Sequence, residues 1–142
     1  MRMSITLRPG REKAVLGRHP WVFSGAIARL SGDPADGDAV EVCAADGRFL
    51  ARGLLNRQSQ ITVRLFTWEQ DEALNESLWA NRLVRAVALR ESLGISRVAT
   101  AYRLVHAESD LLPGLIVDRY GDFLVLQALT LGAERWKPAV VA

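Results

Sequence analysis

The run YRLVHAESDLLPGLIVDRYGDFLVLQ, from Tyr102 to Gln127, decides how the second half of the chain is read. Three apolar segments, Tyr102 to His106, Leu115 to Asp118 and Phe123 to Gln127, are parted by two segments dense in turn residues. Short β-prone runs separated in this way read as consecutive strands of an antiparallel meander. In Tyr120-Gly121-Asp122-Phe123 the glycine comes first in a two-residue loop, where a type II′ turn requires positive φ, so Tyr120 and Phe123 are expected to pair across the strands. The earlier connection sets Glu108, Ser109 and Asp110 ahead of Pro113-Gly114. Such a loop is either a turn, with Ser109 and Asp110 bonding their own backbone, or a site in which His106, Glu108 and Asp110 line a cleft shared with something outside the chain.

Upstream of the meander, Asn75 is a suitable N-cap for a helix that reads through Leu93 and stops at Gly94. Trp79, Leu83, Ala86 and Val87 form its apolar stripe, and Arg82, Arg85 and Arg90 fall mostly off it, where a solvated face is favoured over an RNA groove. Downstream, a helix starts after Thr130, with Pro138 tolerable in a first turn. The chain reads as cut inside this second domain.

The first half is patterned differently. Ile5-Thr6-Leu7 makes a short strand stopped by Pro9-Gly10, and Arg11 to Leu16 allows one helical turn ending at Gly17. Pro20 keeps His19 extended, after which Trp21 and Phe23 take one face of a strand and Val22 the other, one of the two being core. Val40 to Ala44 and Phe49 to Leu55 flank Asp46-Gly47, a strong hairpin signal. Gly53 marks a bulge or a close approach of another segment, and Ile61 to Phe66 closes the set. Short strands at regular spacing read as a small barrel. The expected fold class is therefore α+β: a β-barrel over residues 1–70, then an α+β domain over 71–142.

Composition narrows the function classes. Nearly half the residues are hydrophobic and about a quarter charged, which argues against disorder. No window approaches the ~20 apolar residues of a membrane span, and the opening residues lack a signal-peptide core, so no membrane partner and a cytoplasmic setting are expected. Cys43 is the only cysteine, which excludes an internal disulfide and a cysteine-based zinc site; no metal site is expected. Net charge is only +2, yet Arg2, Arg8, Arg11, Lys13, Arg18 and Arg29 face Glu12 alone over the opening stretch. That patch is either a generic arginine surface or a phosphate-binding one.

Two sets of residues carry a resemblance. Leu104-Val105-His106, Glu108, Asp110, Leu112 to Leu115 and Val117 to Asp122 resemble the central-domain signature of the RlmI-like large-subunit ribosomal RNA cytosine-5 methyltransferases. Lys13, Arg18 to Ile27, Gly37-Asp38, Gly47, Gly53-Leu54 and Ile61 to Arg64 resemble the PUA domain of the same family. The resemblance implies a PUA barrel that binds structured ribosomal RNA, an incomplete central domain of strand-strand-helix-strand-strand type, and S-adenosylmethionine as cofactor of a longer protein. RNA-binding residues carried over on the matching stretch are Arg11, Lys13, Arg18, His19, Trp21, Ser24 and Gly25. One position departs from the family: Leu111 stands where glycine is usual, and a positive φ there would strain leucine.

Catalysis is not expected of this chain alone. Cytosine-5 methylation needs a thiolate nucleophile, and Cys43 on a hairpin strand has no neighbour in sequence that would activate it. No glycine-rich loop follows a strand and opens a helix, so no cofactor-binding residues are assigned. His19 and His106 read as structural. Two function classes follow: the RNA-recognition portion of an S-adenosylmethionine-dependent 23S ribosomal RNA cytosine-C5 methyltransferase, or a stand-alone PUA-type RNA-binding or interaction module without enzymatic activity. An exposed edge on the second domain would also favour a homodimer.

Overall fold

The computed structural model describes residues 2–142. It divides into two compact units, Met1–Leu74 and Asn75–Ala142.

In the first unit six strands, β1 (Ser4–Leu7), β2 (Trp21–Phe23), β3 (Ile27–Ser31), β4 (Ala39–Cys43), β5 (Phe49–Leu55) and β6 (Ile61–Thr67), form one sheet in the order β2-β6-β5-β4-β1-β3. All neighbours are antiparallel except β1 and β4, which run parallel. The two edge strands, β2 and β3, are joined only by the 3₁₀ turn Ser24–Ala26. Three residues cannot span an open sheet of this width, so the sheet has to curl until its edges meet. This is the barrel expected from the sequence. Its interior is filled by Ile5, Leu7, Val22, Val42, Val63 and Leu65 with their buried neighbours.

Local chemistry sets the strand junctions. Asp46-Gly47 makes a three-residue hairpin loop: Gly47 N–H donates to Ala44 O at 2.9 Å, Gly47 has φ 89°, and Ala44 N–H donates to Arg48 O at 2.9 Å. Gly53 serves both purposes that its position suggested. The register shifts between Arg52 and Gly53, and a Cβ there would lie 2.3 Å from the Arg64 carbonyl oxygen.

The second unit holds α2 (Glu76–Ser92), the short α3 (Ile95–Val98), β7 (Ala101–His106), β8 (Leu115–Tyr120), β9 (Phe123–Ala128) and α4 (Leu131–Val141); α1 (Lys13–Leu16) belongs to the first. Asn75 caps α2, its Oδ1 accepting from Leu78 N–H at 3.2 Å, and Gly94 turns the chain out at φ 69°. Strands β7, β8 and β9 form the expected antiparallel meander. Gly121 has φ 61°, and Tyr120 pairs with Phe123.

Two expectations are corrected here. Pro138 lies well inside α4 rather than in a first turn, because Thr130 starts the helix earlier: its Oγ1 accepts from Ala133 N–H at 3.1 Å. The buried stripe of α2 is Leu78, Trp79, Arg82 and Ala86, so Arg82 replaces Leu83 and Val87 on the core side. Arg82 is tolerated there because its Nη1 donates to Leu111 O at 2.6 Å. A buried guanidinium needs such an acceptor.

Gly53→Ala is expected to destabilise the first unit by about 2–3 kcal/mol, since the added methyl group must displace backbone; chemical denaturation followed by circular dichroism measures it.

Candidate nucleic-acid interface

The segment from Arg11 to Gly25 is held by two anchors. Val15 is buried in the barrel core, and its carbonyl accepts from Trp68 Nε1–H at 2.7 Å. With that residue fixed, most of the stretch faces water: Arg11, Lys13, Arg18, His19, Ser24 and Gly25 are exposed and Trp21 is half-buried. Six of the seven RNA-binding residues expected from the sequence are thus solvent-accessible on one continuous stretch, and the seventh is partly so. Arg8 and Arg29, also exposed, lie close in the fold, because Arg8 N–H donates to Ala26 O at 2.8 Å and Thr6 pairs with Arg29 across β1 and β3.

Arg18 is the strained member. Helix α1 ends in a Schellman motif: Arg18 N–H donates to Val15 O and His19 N–H to Ala14 O, each at 2.9 Å. The motif puts a left-handed residue after Gly17, and that residue is Arg18, at φ 64°. Gly17 itself stays at φ −76°, so the glycine expected to stop the helix sits one position too early to take the left-handed turn. Left-handed backbone is uncommon for a residue other than glycine, and here it falls on a long, exposed cation. Its guanidinium carbon lies 5.5 Å from the Trp68 ring centroid and its Nη2 3.6 Å from Glu69 Oε1. With both partners well exposed, that ion pair is weak.

The structure decides which face of β2 is core. Val22 is the core residue, and Phe23 is 45% exposed. His19, Trp21 and Phe23 form an edge-to-face series on the outer surface, with ring centroids 5.8 Å and then 6.3 Å apart. His19 Nδ1 accepts from Trp21 N–H at 3.2 Å, which fixes the first ring on the second. Phe23 is the residue that sequence reasoning missed. Alternation located both faces, but only the closure of the sheet decides which of them is inside.

On the second unit the structure separates the three residues of the expected cleft. His106 opens onto a shallow cleft of about 510 Å³ with Tyr102, Arg103, Asp118 and Tyr120. Arg103 Nε lies 2.8 Å from Asp118 Oδ1, and this guanidinium holds the Asp118 carboxyl below its usual range. Asp110 points elsewhere. Its side chain is buried and takes both arms of Arg90, at 2.5 and 2.8 Å, while its Oδ2 also accepts from His106 N–H at 2.6 Å. Arg90 is therefore an internal partner and not part of a solvated face. Burial pushes the Asp110 carboxyl up, but Arg90 and the His106 N–H outweigh it and leave it below its usual 3.8. Glu108 lies half-buried in the 3₁₀ turn Ala107–Asp110, and Leu111 follows at φ 59°, the strained conformation its side chain disfavours.

Cys43 is not placed as a nucleophile. Burial pushes the Cys43 thiol above 9.0, Glu41 adds to this, and Arg2 only partly opposes it, the reverse of what a nucleophile needs. Gly114 packs against the Thr130 side chain and Gly121 forms a hairpin turn, so neither cradles a donor. Among the described residues no group of three or more His, Cys, Asp or Glu could hold a metal ion. No helix among them is long and apolar enough to cross a membrane.

Comparison with known proteins agrees with this division. Residues 5–68 match the PUA-like domain. The chain is 46% identical over 142 residues to ribosomal RNA large subunit methyltransferase I of Shewanella amazonensis and 48% identical over 142 residues to that of Shewanella denitrificans. It is covered essentially completely in both, but spans only 36% of either protein's length. A solved structure described as a SAM-dependent methyltransferase from Streptococcus mutans superposes with a TM-score of 0.83 over 99% of this chain and 36% of its own, at 20% identity. That likeness shows the fold.

Asp110→Asn is expected to cost the second unit about 3 kcal/mol, because it leaves the Arg90 charge buried without its counter-ion. Since the folded pKa is lowered, the stabilisation is present above about pH 4 and is lost as pH falls through the lowered value. Acid titration of unfolding stability should accordingly show a shallower loss in the variant than in the unaltered chain.

Proposed function

We infer that this chain, which belongs over its whole length to the family of the ribosomal RNA large subunit methyltransferases I while spanning 36% of theirs, is the RNA-holding portion of an S-adenosylmethionine-dependent enzyme that methylates cytosine C5 of 23S ribosomal RNA. The observation that carries this reading is the Arg11 to Gly25 stretch: a segment pinned from beneath by Val15 and Trp68 that turns its cations and aromatic rings outward. Arg11, Lys13, Arg18, His19, Trp21, Ser24 and Gly25 make the RNA face. Lys13 and Arg18 neutralise phosphates, while the exposed Ser24-Gly25 backbone lets the ligand approach closely. Residues 1–70 serve as the PUA barrel and 71–142 as the first part of a central domain that bridges to the catalytic part of the longer protein. Methyl transfer itself belongs to residues that this chain does not supply. The edge of β9, where Phe123, Leu124 and Val125 are exposed, is where the isolated chain would self-associate.

Binding to structured RNA should weaken linearly in a plot of log affinity against log salt, measured by fluorescence anisotropy. Lys13→Glu combined with Arg18→Glu should lower affinity and flatten that slope by about 1 to 2, with folding retained; a flat profile in the unaltered chain overturns the RNA reading. Arg18→Gly separates fold from function. It should raise stability by up to about 1 kcal/mol by relieving the left-handed backbone, and weaken RNA binding at the same time.

A further inference from the structure

Phe23 and Gly25 have a property in common that the fold does not explain. Phe23 presents an apolar ring to water at 45% exposure, although Val22 beside it satisfies the core. Its ring is braced from one side by an edge-to-face contact with Trp21, at 82° and 6.3 Å between centroids. Gly25, two residues on, does not need to be glycine. Its φ is not positive, and a Cβ there would meet nothing within 4 Å, unlike Gly53, where packing forbids any side chain. A Cβ at Gly25 would enter open space, so the fold does not require glycine there, and its bareness keeps the surface next to Phe23 low.

Two exposed cations connect to this spot through the backbone. Arg8 is tied to the Ser24–Ala26 turn through its N–H to Ala26 O, and Arg18, whose guanidinium rests over the Trp68 ring, precedes the His19-Trp21 series. The charge suits a polyanion that carries flat apolar groups, which is the description of a nucleic-acid strand with its bases splayed. A continuous duplex does not suit it, because the faces of stacked bases are already buried in one another.

We propose that Phe23, braced by Trp21, is a stacking platform for one unpaired base of the RNA, with Gly25 leaving room for the sugar-phosphate backbone across the β2–β3 seam and Arg8 and Arg18 neutralising phosphates on either side. This deepens, and rests on, the reading of the first unit as the RNA-holding part. It specifies the ligand as RNA with an exposed nucleotide. Stacking accepts any base, so the platform selects strandedness and not sequence.

The test uses the full chain and two labelled probes, a single-stranded oligouridylate of about ten nucleotides and a blunt RNA duplex of the same length. Phe23→Ala is expected to weaken single-strand binding about 5- to 100-fold and to leave duplex binding and its salt dependence unchanged. Phe23→Trp should retain the single-strand affinity. Gly25→Val should weaken single-strand binding without lowering the thermal midpoint, which separates blocked access from lost folding. Equal losses on both probes, or no loss on either, would overturn the platform and leave the RNA-holding reading standing. Absence of salt-dependent binding of the unaltered chain to either probe would overturn both.

Discussion

The first unit depends on a short covalent constraint: the two edge strands of a six-stranded sheet are joined by the three residues Ser24–Ala26. Hydrogen bonding between strands does not by itself require closure. The short join does, and once the sheet is curled, each strand has an inside and an outside that local pattern cannot assign. Val22 is thereby committed to the core, and Trp21 and Phe23 to the outward face. Closure settles the hydrophobic core and the outward aromatic face of β2 together.

In the second unit two arginines fix the loop after β7. Arg82 and Arg90 extend from the inner side of α2 to the loop after β7, one to the Leu111 carbonyl and the other to the Asp110 carboxylate. Buried ion pairs of this kind seldom stabilise a fold more than apolar residues of the same volume would, because desolvation opposes the attraction. Their effect is geometric. A bidentate guanidinium accepts only one orientation of its carboxylate, so the Ala107–Asp110 turn is fixed against α2 in one register.

Strain does not carry one meaning throughout this chain. Arg18 and Leu111 both occupy left-handed backbone at nearly the same φ, 64° and 59°. Arg18 ends a helix with its charge exposed at the proposed RNA face. Leu111 is held in place by the arginine that takes its carbonyl, and its strain comes with the structural junction. Only the surroundings of each residue separate the two cases.

Features set by neighbours in sequence were legible in advance: the hairpins at Asp46-Gly47 and Gly121, the Asn75 cap, the stop at Gly94 and the meander. Each rests on a turn or cap whose geometry a few adjacent residues determine. What only the tertiary structure decided was which side of β2 is core, that Arg82 and Arg90 face inward, and that Asp110 is the ion-pair partner of Arg90. Those outcomes depend on segments twenty or more residues apart, because burial and ion pairing are settled by what the chain brings alongside, and no local periodicity records that.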